Sequence, residues 1–128
     1  MVWQKHEHNE WSVAIERALG RAGPVPAPEG REPFSLADQG TVEAILGAAG
    51  FGAATFTDVH QPVYYGPDVG AALAWVGGFS STRESLMRLD ADAAERALER
   101  LREVLAAHAS ERGVWFDSRA WIIEARRL

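Results

Sequence analysis

The run VEAILGAAGFGAATFTDVH, residues 42–60, changes its structural period partway along. Val42, Ile45, Leu46 and Ala49 recur at helical spacing, so they share one face. Gly50 supplies the stop, because helices often end on a residue with a left-handed backbone. The following AATFTDVH carries Thr, Phe and Val, side chains that suit a pleated, half-buried surface. Helix, glycine and strand in this order form the αβ unit of an α/β sheet, the expected fold class.

The flanking segments fit that class. NEWSVAIERALG predicts an amphipathic helix, with Trp11, Ala14, Ile15, Ala18 and Leu19 on one face. Asn9 is its expected N-cap and Gly20 its stop. RAGPVPAPEGREP, residues 21–33, holds four prolines and two glycines and reads as an exposed loop or linker. PDVGAALAWVGGF and STRESLMRL predict two short helices divided at Gly77 and Gly78. DADAAERALERLREVLAAHASERG predicts the longest helix, with Ala94, Leu98, Leu101, Leu105 and His108 along one side. Asp92 and Glu95 are its expected capping pair. MVWQ reads as the tail of a strand, and AWIIEARRL as a strand near the C-terminus.

Composition removes several function classes. A length of 128 residues suits one domain with one core. Thirteen basic against eighteen acidic residues give a net charge of −5, with no basic patch, so no nucleic-acid partner is expected. Cysteine is absent, which removes disulfides, thiolate metal sites and cysteine nucleophiles. The opening MVWQKHEHNE lacks the apolar core of a signal peptide, and no apolar run is long enough for a bilayer. The expectation is a cytoplasmic protein without membrane contact.

Few residues point to chemistry. His6 and His8 in HEHNE would aim to one side of a strand, as a metal site needs, but a solvated polar turn before Asn9 is the better account. No metal site is therefore expected. GAAGFG runs from helix to strand, the reverse of a phosphate-cradling loop. No G-x-S-x-G elbow is present. His60 ends a strand-like run, where open α/β sheets bind ligands, and reads either as a substrate contact or base or as a surface histidine. Tyr64 and Tyr65 read either as rings stacking on an apolar substrate or as packing. The whole stretch DVHQPVYYGPDV, residues 58–69, is expected to be connector and pocket wall together, stiffened by Pro62 and Pro67. Arg96, Glu99, Arg100, Arg102 and Glu103 form i,i+3 pairs on a solvated helix face.

The order of segments carries a resemblance. PFSLAD, VEAILGAAGFGAATFTDVHQPVYYGPDVGAALAWV, a long helix and VWFDSRAWIIEARR together resemble the C-terminal half of class I S-adenosylmethionine-dependent methyltransferases. The type-11 and ubiquinone/menaquinone-methyltransferase-like members are the nearest in look. The resemblance implies the C-terminal portion of a Rossmann-like fold, a small mixed sheet with helices. Its last strand, near 120–126, would lie antiparallel between strand five (MVWQ) and strand six (near 53–59). It implies S-adenosylmethionine as the cofactor of the parent family, but the G-x-G-x-G loop that holds it is not in this sequence. No cofactor is therefore expected on this chain alone. Methyl transfer is an in-line displacement at a sulfonium carbon, in which protein mainly positions reactants. By resemblance, Trp3, Asn9 and Trp11 follow strand five, His60, Tyr64 and Tyr65 follow strand six, and Phe34 with residues 68–89 covers the pocket of a small-molecule methyl acceptor. The chain then reads as a substrate-side piece, a truncated or split product, inactive without an N-terminal half. The alternative is a non-enzymatic binding or interaction module derived from that fold. An exposed strand edge near Trp3 would favour self-association.

Overall fold

The computed structural model describes residues 1–21 and 32–128. Residues 22–31, most of the loop expected at 21–33, lie outside the described residues. In chain order the elements are β1 (Val2–Trp3), a 3₁₀ turn (His6–His8), α1 (Glu10–Ala18), α2 (Gln39–Ala48), β2 (Thr55–His60), β3 (Val63–Gly66), α3 (Val69–Gly77), α4 (Ser80–Met87), α5 (Ala91–Ala107), β4 (Ala109–Ser110), β5 (Gly113–Phe116) and β6 (Arg119–Glu124). They divide between two compact units. Among the described residues no helix is long and apolar enough to cross a membrane.

The first unit comprises residues 1–9, 32–61 and 118–128. Its sheet has the order β1-β6-β2, and β6 is antiparallel to both neighbours. The register runs from Thr55 opposite Glu124 to His60 opposite Arg119, so the expected antiparallel pairing of these two segments is present. It continues beyond the strands: Gly52 N donates to Arg126 O at 2.9 Å and Leu128 N to Gly50 O at 3.0 Å. Helix α2 starts where Asp38 accepts the Thr41 amide and stops at Gly50, whose φ of +84° a side chain would resist. Val42 is its buried residue, while Ile45 is half exposed. Phe56 meets Trp121 edge to face, with ring centroids 6.0 Å apart.

The second unit comprises residues 10–21 and 62–117 of the described chain and has the larger core. Ile15, Ala18 and Leu19 of the α1 region pack with Ala97, Leu101 and Leu105 of α5, as their helical spacing requires. Ala72 and Val76 of α3 join them, and Tyr65, Val114 and Phe116 close the cluster from a second sheet, order β3-β5-β4. Phe116 lies between two rings: His108 stacks on it at 4.1 Å, and Tyr65 tilts against it at 4.9 Å. The β3–β5 ladder requires Gly113. A Cβ there would come within 2.5 Å of the Gly66 carbonyl oxygen, and its φ is +98°.

Three expectations change. Among the described residues the sheet is not mixed: the ladders of both sheets are antiparallel, and β1 and β2 pair with β6 rather than with each other. DVHQPVYYGPDV is not wholly a connector. Its middle is strand β3, which gains a ladder on β5, and its last residues start α3 with Asp68 as cap. Helix α5 is capped by Asp90, which accepts the Ala93 amide at 2.8 Å. Asp92 sits one step inside, in the first turn, where its charge suits the helix dipole.

Leu101 has no exposed surface and sits mid-cluster. Leu101→Ala is expected to cost about 2–5 kcal/mol, measured as a shift in the urea midpoint with an unchanged slope.

Candidate functional site

Buried polar side chains hold the strands of the first unit in place. Asn9 is fully buried. Its Nδ2 donates to the Gln4 carbonyl at 3.3 Å and the Lys5 carbonyl at 3.2 Å, and its Oδ1 accepts the Arg119 amide at 3.0 Å. Gln4, also buried, donates from Nε2 to the Ala120 carbonyl at 3.0 Å and to the Asp58 carboxylate. The two amides thus tie the end of β1 to β6 and reach across to β2. Asn9 is an anchor whose polar atoms are spent internally, since a buried amide must find partners.

An open groove of about 400 Å³ lies beside β1. Met1, Val2, Trp3, Pro33, Leu36 and Ala120 make its walls mostly apolar, and Glu32 and Ser35 add polar groups. Phe34, in the same segment, turns its ring to the His6 imidazole, with centroids 5.3 Å apart. A second hollow of about 260 Å³ is lined by Gln4, Lys5, His8, Asp38 and Gln39 together with Ala37 and Trp121. The Trp121 indole N–H is directed to the Ala37 carbonyl at 3.2 Å. Hydrogen bonds from the Thr41 amide and hydroxyl hold the Asp38 carboxyl below its ordinary range, with a smaller contribution from Lys5. The apolar groove has the chemistry of a binding surface for a small apolar molecule. Among the described residues no group of three His, Asp or Glu could hold a metal ion.

The anticipated site residues divide between the units. Trp3, Asn9, Phe34 and His60 belong to the first, and Trp11, Tyr64 and Tyr65 to the second. Trp3 lines the groove. His60, exposed at the end of β2, faces its ladder partner: Arg119 Nη2 donates to its Nδ1 at 3.3 Å. Trp11 packs on the core of the second unit. Tyr65 points into that core, where burial pushes its phenol well above the ordinary value. Tyr64, one residue earlier and so on the other face, is half exposed and leans on Trp115 at 5.0 Å. His108 has both ring nitrogens engaged, Nδ1 with the Val104 carbonyl at 2.8 Å and Nε2 with the Glu10 carboxylate. Gln4, Asp58, Arg119 and the groove residues around Leu36 were not foreseen. The available signal was Gln4 itself, a polar residue directly after the apolar VW pair of a strand.

No protein-family model, curated protein or solved structure matches the chain.

Asn9→Ala orphans the Arg119 amide and removes the side-chain donor to the Gln4 carbonyl, while the Lys5 carbonyl keeps the His8 amide at 2.9 Å. It is expected to cost about 1–3 kcal/mol per buried group left unpaired, with hydrogen-exchange protection lost first at Arg119. Asp38→Ala tests the helix cap and its pH dependence. A carboxyl with a depressed folded pKa contributes stability above its unfolded pKa and loses it as pH falls through the folded value. The variant should therefore be less stable at neutral pH. The gap should close as pH is lowered through and below about 4, followed by denaturant melts across that range.

Proposed function

We propose that this chain is the substrate-side portion of an S-adenosylmethionine-dependent methyltransferase, inactive by itself, contributing surface for a small apolar methyl acceptor. The observation that carries this reading is the arrangement of β6, antiparallel between β1 and β2. That order is the one the resemblance implies for the end of the family's sheet. The apolar groove beside Trp3, immediately after the first of these strands, supports an acceptor contact there.

The residues of this chain do not fit the cofactor. Its sequence has no G-x-G-x-G loop running from a strand into a helix, since GAAGFG runs the other way, and among the described residues the apolar groove offers one carboxylate, Glu32. No chemical step is therefore derived through that group. The reading assigns the cofactor contacts to a segment outside these 128 residues.

Two measurements test the proposal. Calorimetric titration of the 128-residue chain with S-adenosylmethionine is expected to show no binding tighter than millimolar. A charge-assisted contact is worth about 1.5–3 kcal/mol, and each 1.4 kcal/mol is about tenfold in affinity. A low-micromolar dissociation constant would show a cofactor site within the chain and overturn the assignment. The genomic DNA upstream of the Met1 codon is the second test. An in-frame glycine-rich strand-loop-helix there, with methyl transfer by the longer product, supports the enzyme. Its absence favours a non-enzymatic binding module.

A further inference from the structure

Strand β2 ends the first sheet on the side away from β1. Gln4 N donates to Arg119 O at 3.0 Å, so the backbone groups of Arg119 face β1. Successive residues of a strand turn their N–H and C=O to alternate sides. Ala120, Ile122 and Glu124 therefore face β2. The bonds past the end of β6 agree, since Arg126 O accepts from Gly52 N and Leu128 N donates to Gly50 O. Through the register, Thr55, Thr57 and Val59 bond to β6, and the backbones of Phe56 and Asp58 point away from it. Among the described residues no strand meets them there. Edges of this kind are usually blunted by lysine, proline, a bulge or a short length. TFTDVH has none of these: β2 is six residues long and its register on β6 runs without a shift. Thr55, Thr57 and Asp58 are exposed.

Such an edge suits an added strand, and its own side chains fit a second copy. Two copies pair antiparallel about a two-fold axis normal to the sheet and close as a dimer. That axis keeps each face of the sheet, so it must pass through one residue and its copy. Centred on Asp58 it would set the carboxylates of both copies directly opposite, which destabilises. Centred on Phe56 it would leave half of each strand unpaired. Centred on Thr57 it sets Thr57 against Thr57 and Thr55 against Val59, so one face carries β-branched pairs throughout. On the other face Phe56 meets Asp58, whose carboxylate already accepts from Gln4. The outward N–H and C=O groups of Phe56 and Asp58 then bond to each other across the axis. We propose that the β2 edge is an interface for a second copy of this chain, paired antiparallel with Thr57 on the two-fold axis.

The chain has no cysteine, so Thr57→Cys reports on this geometry alone. Thr57 and its copy form a pair without mutual hydrogen bonds, with Cα atoms about 4.5 Å apart, a separation that a disulfide spans. Mild oxidation of the Thr57→Cys chain should give a disulfide-linked dimer. Thr55→Cys is the control, since Val59 lies opposite it and its own copy is about 13 Å away along the strand. Equal dimer yields from the two variants, or no dimer from Thr57→Cys, overturn the proposal. Light scattering on the unmodified chain is the independent measurement. Twice the mass of one chain is expected at high micromolar concentration, and Thr57→Lys, which sets like charges on the axis, should halve it. A single-chain mass for the unmodified protein, or a dimer that survives Thr57→Lys, overturns the proposal.

Discussion

Strand β6 has hydrogen-bonding partners on both sides, and they come from segments far apart in the chain, β1 and β2. A strand in that position must present two complete ladders, so the placement of Arg119–Glu124 decides the placement of both neighbours. The side chains reinforce this dependence. Asn9 accepts the amide that opens β6, and Gln4 binds the carbonyl of Ala120 one residue on. A one-residue slip of β6 would break both contacts and turn Ala120 and Trp121 to opposite faces. The groove beside Trp3 inherits its shape from this register, since Ala120 is part of its wall.

The second unit is organised by packing more than by hydrogen bonding. Phe116 brings together a tyrosine from β3 and a histidine from the end of α5. Each neighbouring ring is fixed by partners of its own. The Tyr65 phenol is buried, and each nitrogen of His108 faces an acceptor of its own. In the apolar groove of the first unit the walls are Met1, Val2, Trp3, Pro33, Leu36 and Ala120, with Glu32 and Ser35 beside them.

The helices were legible because period and punctuation agree in them. Leu101 and Leu105 are buried on the side predicted for α5, where Ala97 joins them unforeseen and Ala94 and Leu98 are only half-buried, and Gly50 ends α2 where the pattern stops. The second sheet was not legible. Its strands are two to four residues long, too short to establish a period of two, and VYYG is framed by prolines that read as a connector. The alternation of buried Val114, exposed Trp115 and buried Phe116 is plain only once a partner strand is known. The candidate site was legible in part. Trp3 lines the groove, but the expected list took Asn9 for a ligand contact when its environment makes it an anchor. A single sequence cannot show that an asparagine beside a helix start will meet an amide from more than a hundred positions later.

The central place of β6 also sets an order of events during synthesis. At about 5–20 residues per second, something on the order of ten seconds separates the appearance of β1 from that of β6. The α1–α3–α5 cluster and β5 are all translated within that interval, so the larger core can close while β1 and β2 still lack their ladders. Until β6 arrives, the nascent chain carries two unsatisfied strands, one of them six residues long. Unpaired strands of that kind attach readily to other chains, which makes β6 a safeguard against misassembly on the ribosome.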